Sequence, residues 1–295
     1  MKIIDCTTYY SEDLMLDVRL NILNEYVDKF VIVESKFSHS GKPKSLNFNI
    51  NNFQKFKDKI EYLVIENEPE GIDVNLENSS AIKRMNSLLR IEQSYDYMVN
   101  ALNDVEDNDL VCLSDNDEIP NFESQQFKNS KNDIFIFKQL FFYYKFNLFY
   151  DLIPWYGTKA CKKKRLLSMS WLRNLKNKKY PVWRLDTYFS KLKQTNLQIV
   201  KNGGWHFTNI KTAEDIFIKL SNFGHHDEFD VSGITVKDIE NCIKNRVVNY
   251  DHKADKSKNN KYNANYKLKV IDDNILPEYL IRNKNKYKDW FDSNK

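Results

Sequence analysis

Apolar runs alternate with amphipathic segments through the first 120 residues. Short runs of apolar residues are typical of strands, and apolar positions three or four apart are typical of helices. These patterns predict strands at 2–6, 30–33, 60–65 and 110–113, and helices at 14–25, 53–57 and 80–102. Such an alternation predicts an α/β fold with a mostly parallel sheet flanked by helices.

The second half has longer aromatic runs. Strands are predicted at 134–144, 197–200 and 205–209, and helices at 213–223, 236–248 and 276–290. The Lys- and Asn-rich stretch 251–266 is predicted to be mobile. We therefore expect a domain of residues 1–230, divided into halves 1–120 and 121–230. A helical C-terminal extension, 231–295, follows it.

The strand at 110–113 runs into a cluster of acidic residues. Asp115, Asp117 and Glu118 follow four consecutive apolar residues, and Pro120 stops a regular continuation. Residues two apart in an extended chain point to one side, so Asp115 and Asp117 are expected to converge. Ligands of parallel sheets bind beyond the carboxyl ends of the strands. The pair is therefore a candidate binding site for a divalent cation that carries a phosphate ligand. The alternative is a polar turn that solubilises a strand end.

A polar loop follows the strand at 30–33. It begins at Glu34 and contains His39, Ser40 and Lys42. Such a loop can hold the base, ribose or phosphates of a nucleotide, with Lys42 as a point charge on phosphate. An ordinary surface loop is the alternative.

Two further segments carry candidate groups. In Gly203-Gly204-Trp205-His206 the glycines permit close approach of the backbone, the indole offers a stacking surface, and the imidazole can bind a metal or phosphate. A structural histidine is the alternative. Arg90, on the predicted helix 80–102, can pair with the acidic cluster or with phosphate, or can lie on a solvated helix face.

Composition narrows the class of protein. The 295 residues carry a net charge of +4, and no stretch approaches the roughly 20 apolar residues of a membrane helix. The N-terminus lacks the apolar block of a signal peptide. The four cysteines are far apart and show no CxxC spacing, which argues against structural zinc and a disulfide framework and favours a reducing, cytoplasmic location.

One segment is strongly basic. Between residues 159 and 184 there are ten Lys or Arg and no Asp or Glu, interleaved with Trp171, Tyr180 and Trp183. Such a segment can contact lipid headgroups, a phosphorylated acceptor or nucleic acid. The alternative is a solvated basic loop.

Four sequence motifs together resemble those of glycosyltransferase family 17. They are Leu20-Asn-Ile-Leu-Asn-Glu-Tyr-Val-Asp-Lys-Phe-Val-Ile-Val-Glu34, His39-Ser-Gly-Lys-Pro-Lys44, Ser114-Asp-Asn-Asp-Glu-Ile-Pro120 and Gly203-Gly-Trp-His-Phe207. They occur in the family's order over roughly residues 1–225. The resemblance implies a GT-A type, Rossmann-like fold whose first half binds a nucleotide sugar and whose second half binds the acceptor.

The resemblance also implies an inverting transfer of a sugar. The donor would be UDP-N-acetylglucosamine, with Mn²⁺ or Mg²⁺ on its diphosphate and a glycan or glycolipid as acceptor. Asp115 and Asp117 match the metal-binding motif, and His206 matches a third ligand or a diphosphate contact. Glu34, His39, Lys42, Arg90 and Trp205 would lie on the donor side.

The chain also departs from the family pattern. Ser94 stands where a second arginine is expected, which weakens a phosphate role for that helix. Eukaryotic relatives carry an N-terminal membrane anchor, whereas this chain starts with its first strand. The resemblance therefore implies a soluble form whose acceptor need not be an N-glycan.

Several readings stay open from sequence alone. An inverting transfer needs a carboxylate base that is not a metal ligand. Glu118 is the first candidate, and Asp227 and Glu228 are others. The donor can also be UDP-glucose or UDP-galactose. A non-catalytic protein that binds glycan or nucleic acid through residues 159–184 is the alternative from another class, and nucleic acid is the less favoured partner.

Overall fold

The computed structural model describes residues 1–73, 80–224, 226–254 and 261–293. Its strands are, in chain order, β1 (Ile3–Thr8), β2 (Lys29–Ser35), β3 (Ile60–Ile65), β4 (Leu110–Ser114), β5 (Glu118–Pro120), β6 (Ile134–Tyr143), β7 (Leu148–Phe149), β8 (Trp155–Lys162), β9 (Leu197–Val200), β10 (Gly204–Thr208), β11 (Val247–Val248), β12 (Tyr266–Lys267) and β13 (Lys269–Val270). The α-helices are α1 (Asp13–Leu23), α2 (Ser80–Asp96), α3 (Gln125–Lys128), α4 (Met169–Asn174), α5 (Ala213–Asn222), α6 (His226–Asp230), α7 (Val236–Asn245) and α8 (Glu278–Arg282). Short 3₁₀ helices lie at Ile50–Lys59, Tyr97–Ala101, Lys163–Arg165, Leu185–Thr187, Asp273–Ile275 and Lys288–Trp290.

The first four strands form the parallel half of the sheet. Their order is β3-β2-β1-β4, and each neighbouring pair is parallel. Helix α1 packs on one face through Leu16 and Leu20, and the segment after α2 packs on the other through Met98. The mixed α/β architecture with a largely parallel sheet is therefore confirmed for this half, because strands buried on both faces need helices on both sides.

The second half of the sheet is mixed. Strand β8 runs antiparallel between β4 and β6. The long strand β6 then carries β9 along its first half and β10 along its second, both parallel to it. Strand β5 pairs antiparallel with β10, which joins the acidic segment to the Gly-Gly-Trp-His segment. Gly204 makes this pairing possible, since it has a φ of +111° and a Cβ there would lie 2.1 Å from the carbonyl oxygen of Ile119.

The C-terminal region packs into the body of the protein. Leu280, Tyr287 and Phe291 belong to the core that contains α1, and β13 pairs with β7 at the edge of the sheet. The prediction of one helix over 276–290 is wrong: α8 ends at Arg282, and a 3₁₀ turn forms only at Lys288–Trp290. The Asn- and Lys-rich residues between them favour local side-chain bonds, as when Asn283 donates to the carbonyl of Tyr279 at 2.8 Å.

Two other expectations concern this region. The predicted helix 236–248 ends early, as α7, because Arg246 adopts a left-handed conformation with a φ of 56°. Residues 255–260 of the stretch predicted to be mobile lie outside the described residues. None of the described helices has the combination of length and hydrophobicity that crossing a bilayer requires.

A buried ion pair connects α1 to the sheet. The Arg19 guanidinium donates to both carboxylate oxygens of Asp5 on β1, at 2.7 and 2.5 Å, and both side chains are fully buried. Its remaining nitrogen donates to the carbonyl oxygens of Glu118, at 2.6 Å, and Asp115, at 3.3 Å. One buried cation therefore fixes a helix, the central strand and the acidic segment together.

We expect Arg19→Met to reduce the free energy of unfolding by about 3–5 kcal/mol, because it leaves the Asp5 carboxylate buried without a partner. Urea unfolding measures this. The matched control is Arg282→Met, which breaks an exposed pair with Glu278 and should cost at most about 1 kcal/mol. Equal losses of unfolding free energy in the two variants would show that the buried pair contributes no more to stability than the exposed pair.

Candidate active site

A cavity of about 710 Å³ opens at the carboxyl ends of the parallel strands. Thr8 at the end of β1, Ser35 at the end of β2 and Asp115 directly after β4 all line it. This is the position that open α/β sheets use for ligands. Charged side chains of both signs line this end of the cavity. Ile216, Val248 and other apolar or aromatic side chains line the other end.

The acidic segment forms a turn at the cavity wall. The backbone N–H of Glu118 donates to the carbonyl of Asp115 at 3.0 Å, so the chain reverses between them. The expectation that Asp115 and Asp117 converge rested on an extended segment. The segment is a turn instead, so that premise is wrong. The physical reason is Arg19, whose guanidinium draws the carbonyls of Asp115 and Glu118 to one point.

Asp115 lies at one side of this turn. Its carboxylate accepts hydrogen bonds from Arg173 of α4 at 2.7 Å and from the Tyr95 hydroxyl of α2 at 2.9 Å. The Arg173 guanidinium lies 5.8 Å from the centre of the Tyr95 ring. Burial, followed by the nearby Asp115 charge, raises the pKa of Tyr95, so its hydroxyl remains a donor at neutral pH.

Asp117 lies at the other side of the turn and pairs with different groups. Lys219 Nζ of α5 lies 3.3 Å from one of its oxygens, and His206 Nε2 of β10 lies 3.4 Å from the other. Burial by itself would raise the pKa of Asp117, but the charges of Lys219 and His206 outweigh it and hold that pKa well below its usual range. Burial opposes the charge of Lys219, yet Asp117 and Glu12 raise the pKa of its ammonium. Both partners are therefore ionised at neutral pH.

His206 reaches the cavity because of its register on β10. It stands opposite Glu118 in the β5–β10 pair, and its ring packs against Phe141 and Trp155, with centroids 4.6 and 4.3 Å away. Its Nδ1 is buried without a hydrogen-bond partner in the described part of the chain. Trp205, one residue earlier, faces the opposite side of the sheet, where its Nε1 donates to a backbone carbonyl at 2.7 Å.

The Glu118 side chain is fully buried beside the turn. It accepts from the backbone N–H of Asp115 at 3.0 Å, from Trp155 Nε1 at 2.9 Å and from Arg173 at 3.2 Å. Burial raises its pKa against the opposing charge of Arg173. The other carboxylate considered from sequence, Glu228, pairs with Lys261 at 2.7 Å, and the Asp227 side chain lies outside the described part.

The loop after β2 is organised around Glu34, which is itself fully buried. Its carboxylate accepts from the backbone N–H groups of Asn47 and Phe48 at 2.8 and 3.0 Å, from the Tyr62 hydroxyl at 2.8 Å and from Lys44. These four donors fold the loop over the sheet end. The structure thus gives Glu34 a role in shaping the loop that lines the cavity.

Three other predicted residues lie in or beside this loop. His39 lines the cavity next to Phe223, and burial lowers its pKa to about 4. Lys42 is exposed on the outer side of the loop. Arg90 pairs with Glu68 at 2.7 Å and donates to the His39 carbonyl at 3.2 Å, so it anchors the loop, and the arginine that reaches the acidic turn is Arg173.

The turn offers ligands suited to a hard divalent cation. Asp115 and Asp117 supply carboxylate oxygens, and the Asn116 side-chain oxygen between them is buried without a hydrogen-bond partner among the described residues. Mg²⁺ and Mn²⁺ prefer such oxygen ligands. In the described ranges, no cluster of three or more His, Cys, Asp or Glu side chains is arranged as a ready-made metal site. The chemistry of the turn fits a cation that takes its remaining ligands from a substrate.

Sequence reasoning missed the two cations of the site. Arg173 stands within the basic segment 159–184, which the structure divides: Lys159 is buried, Lys162 pairs with Asp133 at 2.8 Å, and Arg173 enters the cavity. Lys219 belongs to α5, where Ile216 and Leu220 also line the cavity. The signal that could have identified Lys219 from the sequence is a single lysine on the apolar face of an amphipathic helix.

The buried Lys159 holds the backbone at Arg173 in place. Lys159 Nζ donates to the carbonyls of Arg173 and Leu175 at the end of α4, both at 2.6 Å. Burial, with the Arg173 charge in second place, lowers its pKa from 10.5 to about 7. A neutral amine still has two N–H donors, so both bonds survive the loss of the proton.

This pKa predicts a pH-dependent stability. Between about pH 7 and 10.5 the unfolded chain keeps the proton that folded Lys159 has lost, so the free energy of unfolding rises with pH. From pH 7 to pH 9 we expect the wild type to gain roughly 2 kcal/mol more than Lys159→Met, measured by urea unfolding at each pH. Parallel pH curves for the two proteins would contradict the assignment.

Comparisons with known proteins complete this description. Among solved structures, a putative glucose-1-phosphate thymidylyltransferase from Bacillus anthracis and the inositol-1-phosphate CTP transferase from T. maritima are each 13% identical, at a TM-score of 0.32. Each alignment covers 68% of this chain and 85% of the other, and likeness at this level carries no argument. No curated protein sequence matches the chain. The model of glycosyltransferase family 17 matches residues 1–292, and the chain therefore belongs to that family and is a glycosyltransferase.

Proposed function

We propose that this protein is a metal-dependent, inverting glycosyltransferase of the GT-A type. The proposed donor is a UDP-sugar, foremost UDP-N-acetylglucosamine, and the proposed acceptor is a glycan or glycolipid. UDP-glucose and UDP-galactose are the alternative donors. The observation that carries the proposal is the acidic turn at the carboxyl strand ends, with one cation paired to each of its aspartates.

The charges at this end of the cavity suit a diphosphate. Arg173 and Lys219 approach the turn from α4 and α5, on two different sides. A diphosphate at the turn would find a planar guanidinium for two parallel hydrogen bonds and an ammonium as a point charge. Because both cations are already positioned by Asp115 and Asp117, little rearrangement is needed when charge develops on the leaving group.

The proposed metal ion would be held by Asp115 and Asp117, with Asn116 or His206 as a further ligand from the protein. When bound, it would neutralise negative charge on the departing diphosphate. The buried, unpartnered side-chain oxygen of Asn116 and the approach of His206 Nε2 to Asp117 at 3.4 Å support this assignment. The remaining steps fall to side chains: Arg173 and Lys219 bind and orient the diphosphate.

We assign Glu118 a positioning role in place of the base role first considered. Its carboxylate is fully buried and accepts hydrogen bonds from the Asp115 backbone, Trp155 and Arg173. Deprotonating an acceptor would require it to leave all three. It instead fixes the Arg173 side chain and the Trp155 ring, and through Trp155 the stacked His206 imidazole. The acceptor base belongs among the carboxylates that line the cavity, such as Glu12 and Glu92.

The other end of the cavity suits the acceptor. Tyr143, Tyr250 and His252 line it beside Ile216 and Val248. The His252 ring bonds to the Tyr143 hydroxyl at 2.6 Å, and burial lowers its pKa to about 4, so it stays neutral at physiological pH. Neutral aromatic walls bind the apolar faces of sugars and other flat ligands.

The test is a thermal-shift panel of UDP-sugars with and without Mn²⁺, with Mn²⁺ alone as a further arm. A ligand of the folded state raises the melting temperature by mass action. Removing a charged hydrogen bond costs about 1.5–3 kcal/mol, so Lys219→Met should weaken donor binding roughly ten- to hundredfold. Asp117→Asn should abolish the part of the shift that depends on Mn²⁺.

Matched controls are Lys162→Met and Asp133→Asn, which break an ion pair outside the cavity. They should keep the wild-type donor affinity and metal response. The proposal is wrong if no UDP-sugar binds, or if Lys219→Met and Asp117→Asn bind donor and Mn²⁺ as the wild type does. Donor binding that Lys219→Met weakens but that Mn²⁺ does not affect in the wild type would remove the metal from the proposal and leave the cations.

A further inference from the structure

A loop of residues 176–193, here called the basic loop, projects from the protein between α4 and β9. Its two limbs are tied together at the base. The backbone N–H of Lys176 donates to the carbonyl of Leu192 at 3.1 Å, and that of Tyr180 donates to the carbonyl of Gln194 at 3.1 Å. The Trp171 indole of α4 also donates to the carbonyl of Lys191 at 2.8 Å. These three hydrogen bonds close the base of the loop, and its tip lies between the two limbs that they join.

The tip of the basic loop exposes large apolar side chains. Phe189 is 90% exposed and Trp183 is 80% exposed, and three more neighbours share this exposure: Val182, Leu185 and Tyr188. Single exposed apolar residues are ordinary on a soluble protein, but five within eight positions form a patch. Apolar side chains clustered in this way mark a surface that another apolar phase covers.

The limbs of the basic loop are strongly cationic. They carry Lys176, Lys178, Lys179, Arg184, Lys191 and Lys193, against the single acid Asp186. Asp186 pairs with Arg184 and Lys193, both at 2.6 Å. The other four lysines are exposed and form no ion pair with any described residue. The apolar tip is therefore flanked by lysines that pair with no acidic side chain of the described residues.

We propose that the basic loop docks the protein on an anionic lipid surface. Trp183, Phe189 and Leu185 would enter the headgroup region, Trp183 as an amphipathic ring with a polar N–H and the other two as apolar anchors. The exposed lysines would pair with the phosphates of anionic lipids. This proposal is independent of sugar transfer, since it concerns a surface outside the cavity and is read out by binding alone.

Lipid is favoured over other partners by the composition of the tip. A single-stranded nucleic acid would use the cations and stack its bases on Trp183 and Phe189, but it gains nothing from exposed Val182 and Leu185. A second copy of the chain would bring the same positive charge to the interface, and like charges oppose association. A layer of anionic headgroups above an apolar interior matches both parts of the loop.

The experiment is co-sedimentation of the full chain with vesicles of phosphatidylcholine alone and of phosphatidylcholine with phosphatidylglycerol. We expect binding to the anionic vesicles, weakened by added salt. Trp183→Ser with Phe189→Ser should lower the partition coefficient at least about tenfold, because both rings lose their place in the lipid. Lys178→Gln with Lys179→Gln should lower it roughly 30-fold, at about 1 kcal/mol for each charge.

Controls remove exposed groups of the same two kinds elsewhere on the surface. Met85→Ser with Val231→Ser removes two exposed apolar side chains, and Lys57→Gln with Lys237→Gln removes two exposed charges. Both controls should bind the anionic vesicles as the wild type does. All variants lie outside the cavity, so their UDP-sugar thermal shifts should match the wild type and report intact folding.

Three outcomes would overturn the proposal. The first is equal sedimentation, or none, with both kinds of vesicle. The second is a gel shift of a single-stranded oligonucleotide that the loop variants lose while vesicle binding is unchanged, which would make the loop a nucleic-acid surface. The third is a dimer in sedimentation equilibrium that Trp183→Ser with Phe189→Ser dissociates, which would make it a contact between copies.

Discussion

The fold and the site both depend on the burial of Arg19. A guanidinium without contact to water must have its donors satisfied by the protein, and only a few arrangements achieve this. Here Asp5 accepts two hydrogen bonds, and the carbonyl oxygens of Asp115 and Glu118 accept one each, so four of the five N–H donors have these partners. The geometry of the acidic turn is consequently a property of the core. The turn cannot open without stranding a buried charge, so Asp115 and Asp117 are held in place before any ligand arrives.

A fixed acidic turn imposes a second constraint, because its own charges need partners. Arg173 and Lys219 supply them, and they come from two different helices, α4 and α5. Glu118 then ties Arg173 to Trp155, and Trp155 stacks on His206. The result is a set of positive and negative groups at one wall of a cavity, each oriented by a neighbour. Such preorganised charge is what the transfer of an anionic leaving group requires.

Local pattern predicted the parts of the protein that local interactions determine. The strands around Val31 and Val111 follow from continuous apolar runs, and the expectation that His206 lies near the acidic segment came from the resemblance to the family. Arg173 and Lys219 could not be found in this way, because their role comes from pairing with Asp115, 58 residues away, and with Asp117, 102 residues away. The turn at Asp115 was equally hidden, since it depends on a buried arginine in α1. Pattern predicts which residues form strands and helices, whereas long-range charge pairing decides which of them form the site.

The segment that supplies Arg173 also connects the cavity to the outer surface. Helix α4 ends at Asn174, and the basic loop begins two residues later, while Lys159 holds the carbonyls of Arg173 and Leu175 from within the sheet. The buried Lys159 thus separates two parts of one chain segment: the guanidinium at the wall of the cavity and the exposed basic loop. A load on the loop would have to break two hydrogen bonds to Lys159 before it displaced Arg173. Docking of the loop on a lipid surface would therefore leave the charges at the wall of the cavity undisturbed.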